Sequence, residues 1–153
     1  MNDNRNIDLA IDKLADLAQK QGANDAKAIC ASIISVEDHL AALCSEPRCK
    51  NYGTSIHCPP NVGGPVQFRE ILKEFKKGLF FKMDVPSDIL YSDAGCDLFR
   101  HLHEMAAEIE QSAIKRGFKN SKAFAGGACK RLFCNDYSEC IVLSENRKCR
   151  YFG

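Results

Sequence analysis

Apolar residues recur at spacings of three and four over residues 7–21, where Ile7, Ala10, Ile11, Leu14 and Leu17 fall on one side of a helix. Asp3, Asn4 and Asn6 are candidate caps before it, and Gly22 supplies a stop. Residues 26–36 (AKAICASIISV) are mostly uncharged and contain the β-branched Ile33, Ile34 and Val36, which predicts a strand, with a short helix over 37–43 after it. The helical period returns at 66–76 with Phe68, Ile71, Leu72 and Phe75, opened by Pro65 and stopped by Gly78. Residues 79–85 (LFFKMDV) predict a second strand that Pro86 ends. The longest helix is expected over 95–116, where Phe99, Leu102, Ala106, Ile109 and Ala113 share a face. Asp93 is its candidate cap and Gly117 its left-handed stop. Residues 122–125 read as a short third strand.

Two stretches break the pattern. Residues 44–65 hold four of the five prolines, too many for a regular helix or a central strand. Residues 126–153 are also read as irregular. A loop of this length inside a compact domain is uncommon and usually functional, and something must order it. The alternation of elements predicts an α/β or α+β fold: one domain over 1–153, a small sheet with packed helices, and two cysteine-rich metal-binding loops.

Composition narrows the class. With 45% hydrophobic and 27% charged residues, the chain reads as an ordinary globular protein. No run of 18 apolar residues exists, which excludes a membrane-spanning helix. The first residues are polar and lead to Asp8, Asp12 and Asp16, unlike a signal or transit peptide, so the expected compartment is the cytoplasm. Thiols stay reduced there, and nine cysteines require another account than pairing. Charge is uneven: residues 115–150 carry nine basic and three acidic side chains, a net of +6, against −3 over 1–43 and −2 over 44–114. A basic segment could face nucleic acid or compensate metal-bound thiolates. Without interleaved aromatics or a reading helix, neither nucleic acid nor a membrane is an expected partner.

Seven of the nine cysteines fall in the two irregular stretches, as Cys44-x4-Cys49-x8-Cys58-Pro59-Pro60 and Cys129-x4-Cys134-x5-Cys140-x8-Cys149. A metal ion or a cubane cluster needs about four soft ligands aimed at one point, and loops can deliver them. Gly126 and Gly127 permit tight turns before Cys129. The second group has a complete set of four thiols. The bland alternative is a set of buried, inert thiols, which the flanking Lys130, Arg131, Lys148 and Arg150 oppose. The first group has three thiols, and its fourth ligand could be His57, Cys96, water, a substrate or a thiol of the second group. Cys30 reads as a packing residue within the first strand. Cys96, at the start of the long helix, is also read as packing, although a helix N-terminus activates thiols. His39, His101 and His103 read as surface or core-edge residues. Arg69, Lys73, Lys76 and Lys77 read as a solvated basic face. No nucleophile elbow, P-loop or dinucleotide fingerprint is present.

These stretches carry a resemblance to a known family. Cys49-Lys50-Asn51-Tyr52-Gly53 through Cys58-Pro59-Pro60, and Gly126-Gly127-Ala128-Cys129 through Cys134, Cys140 and Cys149-Arg150, resemble the domain of unknown function 2284 family of predicted metal-binding proteins, over about residues 40–151. The resemblance implies a cysteine-bound metal, most often thought of as an iron–sulfur cluster, in prokaryotic cytoplasm, and implies no established reaction. By position, Cys44, Cys49, Cys58, Cys129, Cys134, Cys140 and Cys149 are the expected ligands. The expected function is an iron–sulfur protein, with a [4Fe–4S] cluster, in a redox or accessory role with an electron-transfer or other protein partner. The alternatives are a zinc-stabilised structural or interaction module, and a metalloenzyme using the three-thiol group with an open position.

Overall fold

The first helix, α1 (Asn2–Lys20), buries Ala10, Ile11, Leu14 and Ala18, the face its apolar period marks out. It lies within a computed structural model that describes residues 2–149, with side chains from Asn6 onward. The caps expected at Asp3 and Asn4, and Arg150 of the C-terminal motif, therefore lie outside the described side chains, and Asn6 sits inside α1. The rest of the order is β1 (Asp25–Cys30), a 3-10 turn (Ala31–Ile33), α2 (Asp38–Ala42), α3 (Pro65–Lys73), β2 (Lys77–Lys82), α4 (Ser87–Leu90), α5 (Ala94–Lys115), α6 (Cys129–Phe133) and α7 (Ile141–Glu145). The chain divides into two compact units, each made of two separated segments. One combines the chain up to Ile33 with Phe75–Gly126; the other combines Ile34–Glu74 with the chain from Gly127.

The first unit is built on a two-stranded antiparallel sheet. β1 pairs with β2 from Asp25↔Lys82 to Cys30↔Lys77, and Asn24 N–H to Lys82 O (2.9 Å) and Ala31 N–H to Lys76 O (3.1 Å) extend the ladder at either end. Alternation along the strands turns Ala26, Leu79 and Phe81 toward a core of Leu14, Ala18, Ala23, Met105, Ile109 and Ala113. Helices thus pack on an antiparallel sheet, which makes the fold α+β and sets aside the α/β alternative. Asp8 of α1 and Lys77 of β2 are ion-paired at 3.2 Å. α5 buries Met105 (2% exposed) beside Ala106, Ile109 and Ala113, and Gly117 at φ +99° stops it as expected.

Several expectations are corrected. The strand expected over 26–36 ends at Cys30, because β2 offers no partner beyond Lys77; Ile33 and Ile34 lie exposed past its end. Pairing, not β-branched composition, sets its length. Cys30 is exposed and is not a packing thiol. Gly78 lies within β2 and stops no helix; α3 ends at Lys73, before the backbone at Lys76 joins the ladder. Residues 122–125 form no strand: the Ala123 N–H donates to the Glu110 carboxylate (2.6 Å) rather than to a neighbouring strand. The stretch from 126 is not wholly irregular, since α6 and α7 occupy it.

In the second unit, Arg69 of α3 donates to the Val36 carbonyl (2.8 Å) and to Asp38 Oδ2 of α2 (2.7 Å). Lys73 pairs with Glu70 at 2.6 Å. Together with the Asp8–Lys77 pair of the first unit, three of the four cations read as a basic face are engaged by carboxylates.

Candidate metal centre

The second unit contains both cysteine groups, and its loop between α2 and α3 is held by its own backbone. Gly53 N–H donates to Pro59 O (2.7 Å), Cys58 N–H to Ser55 O (3.2 Å), and Asn61 Nδ2 to the carbonyls of Gly53 (3.3 Å) and Ser55 (3.1 Å). The Arg48 guanidinium lies 5.2 Å from the Tyr52 ring centroid, a cation–π contact at the loop's near end. These bonds close the chain on itself and present Ser55-Ile56-His57 to the C-terminal segment. Ser55 is fully buried, and its Oγ accepts the His57 N–H (3.2 Å).

Three of the four C-terminal cysteines sit at helix ends. Gly127 at φ +104° turns the chain into α6, whose first residue is Cys129 and whose C-cap is Cys134. Buried Leu132 anchors that helix. Cys140 is the N-cap of α7, and left-handed Asn146 (φ +52°) ends α7 before Cys149. Short helices thus place Cys129, Cys134 and Cys140, and the segment after α7 brings Cys149. All four line one cavity of about 20 Å³ together with Ser55, Ile56 and His57. That volume admits about one water-sized group.

The segment 55–57 touches two of the thiols. His57 Nδ1 lies 3.4 Å from Cys129 Sγ, and the Ser55 hydroxyl donates to the same sulfur. Burial pushes the Cys129 thiol above its ordinary pKa; the Ser55 bond opposes the shift, and the nearby Cys58, Cys149 and Cys140 sulfurs reinforce it. For Cys140, burial acts upward too. The backbone N–H groups of Leu143, Val142 and Ile56 and the Lys130 ammonium outweigh it and bring the thiol below its ordinary value. Lys130 is held there by bonds to the carbonyls of Cys134 (2.8 Å) and Tyr137. The two thiols are thus shifted in opposite directions, Cys140 toward ionisation and Cys129 away from it.

The seven expected ligands do not all gather. Cys129, Cys134, Cys140 and Cys149 share the cavity, and buried Cys58 stands beside Cys129. Cys44 and Cys49 are not among the cavity residues; Cys49 is exposed, and its sulfur accepts the Asn51 N–H at 3.5 Å. Among the described residues, no three His, Cys, Asp or Glu side chains converge closely enough to hold an ion. The donor set therefore suits a thiophilic metal in kind, and binding requires its thiols to draw together. His101 and His103, read from the sequence as surface or core-edge residues, engage the carbonyls of Gln21 (2.7 Å) and Gly126 (3.0 Å). Ser55 and Ile56 went unnoticed in the sequence; the only signal was a small hydroxyl residue three positions before Cys58 in a cysteine-proline loop.

No curated protein and no solved structure gives a significant match to the chain. A family model described as "Predicted metal-binding protein (DUF2284)" matches residues 27–152, a span that takes in both cysteine groups. The chain, with its cysteine-lined cavity, belongs to that family of predicted metal-binding proteins.

Proposed function

We propose that the protein binds a thiophilic metal through Cys129, Cys134, Cys140 and Cys149, as an iron–sulfur centre with a redox or accessory role toward a protein partner. The observation that carries this reading is the meeting of all four C-terminal thiols around one cavity. All-sulfur ligation suits a cluster, which when bound supplies one-electron transfer. The chain's own residues do the rest. Ser55 and His57 hold the Cys129 sulfur, the N–H groups beside Cys140 stabilise its thiolate, and the Lys130 ammonium offsets the negative charge of a thiolate site.

A zinc-stabilised module is the second reading, because four thiols around one cavity suit a tetrahedral zinc ion as well as a cluster. Cys134→Ser is expected to lose the metal in either case. Metal per chain measured on wild type and variant checks this, and unchanged content would remove Cys134 from the ligand set.

A further inference from the structure

Cys44 and Cys49 are absent from the cavity lining, yet the backbone places them together. An isolated antiparallel bridge joins Ser45 to Arg48. The next pair outward in that register is Cys44 opposite Cys49, and the Cys49 N–H donates to the Cys44 carbonyl at 3.1 Å. Directly opposed residues of an antiparallel pair have Cα atoms about 4.5–5.5 Å apart, within the range of about 4.4–6.8 Å that a disulfide spans. One cross-bond is made here, and the Cys44 N–H donates instead to Ala41 O (3.2 Å). Cys49 is exposed and Cys44 half-buried, so a small reagent can reach the first sulfur while the second waits behind it.

We propose that Cys44 and Cys49 form a dithiol–disulfide pair across this hairpin, oxidised by exchange with a small-molecule disulfide. The Cys49 thiolate attacks one sulfur of the reagent, whose S–S bond breaks and releases one thiolate. Cys44 then attacks the Cys49 sulfur of the mixed disulfide, forming the internal S–S bond and releasing the second reagent thiolate. The two cysteines lose two electrons and two protons; the reagent gains both as two thiols. Exposure and the tightness of the turn favour internal closure over a lasting mixed disulfide, because the partner thiol is held at the next register position. The pair is separate from the cavity thiols, and the inference stands whether or not those bind metal.

The full chain, purified without oxygen, would be treated with oxidised glutathione and mapped by non-reducing peptide mass spectrometry, with metal content followed in the same sample. The expected product is a Cys44–Cys49 crosslink, with intact mass lower by two hydrogen atoms and metal content unchanged. A stable glutathione adduct on Cys49 without the crosslink would overturn the proposal. So would metal loss in a Cys44→Ser/Cys49→Ser double variant, which would make the pair ligands. Mapping the wild-type chain needs no variant to fold, and metal content tells failure of the pair from failure of the cavity reading.

Discussion

Ser55 shows how one small side chain can organise a site. Fully buried, it accepts the backbone N–H of His57 and donates to Cys129, so it holds a sulfur and the His57 backbone at once. Cys30 is its opposite: an exposed thiol at the end of β1, away from both cysteine groups in sequence. Cys30→Ala is expected to leave metal content unchanged and to alter stability by no more than about 0.5 kcal/mol, as surface substitutions do. Metal analysis and denaturant unfolding check both halves. A second residue-scale test concerns Asp38. The hydrogen bond from Arg69, aided by its charge, holds the Asp38 carboxyl below its ordinary value despite the opposing effect of burial. A pKa depressed by folding contributes stability above the unfolded value of about 3.9 that is lost as pH falls through the folded one. In metal-free protein, wild type should therefore lose more stability than Asp38→Asn as pH drops from about 5 toward 2. Parallel pH profiles for the two would contradict the pair's role. The effect is small, because both side chains are well exposed.

At the scale of elements, the loop between α2 and α3 rests on Asn61, whose amide bonds two carbonyls and closes the turn that presents Ser55. Asn61→Ala is expected to cost about 1–3 kcal/mol, from two lost hydrogen bonds of about 0.5–1.5 kcal/mol each. It should also weaken metal retention. Unfolding indistinguishable from wild type would show that the loop is held elsewhere. The same scale explains what was legible in the sequence. α1 and α5 are long enough for a period of three and four to declare a face, and the buried residues follow it. Met105 falls next to the expected stripe, yet its side chain is fully buried in α5. α6 and α7, at five residues each, are too short to show a period. β1 was drawn too long because its end depends on where β2 begins, a non-local fact. The four C-terminal cysteines were legible from number and spacing alone. That Cys44 and Cys49 stand outside the cavity was not, since spacing does not fix direction.

Across the whole molecule, the cysteine chemistry gathers in the unit formed by Ile34–Glu74 and the chain from Gly127. The other unit carries the hydrophobic core of α1, the sheet and α5. Along the chain, residues 115–150 carry nine positive against three negative side chains, and this stretch contains the thiols that would carry negative charge. Lys130 makes that link concrete, acting on Cys140 while its ammonium is tied to two carbonyls. Family membership, the shared cavity and the Lys130 contact support the proposed thiolate-bound metal. The most direct measurement is iron, zinc and acid-labile sulfide per chain, with the visible spectrum, on protein purified without oxygen and reconstituted anaerobically. The account predicts a brown protein with matched iron and sulfide, both lost in Cys134→Ser. A colourless protein holding zinc would replace the cluster with a structural ion. A chain that binds neither metal after reconstitution would contradict the account.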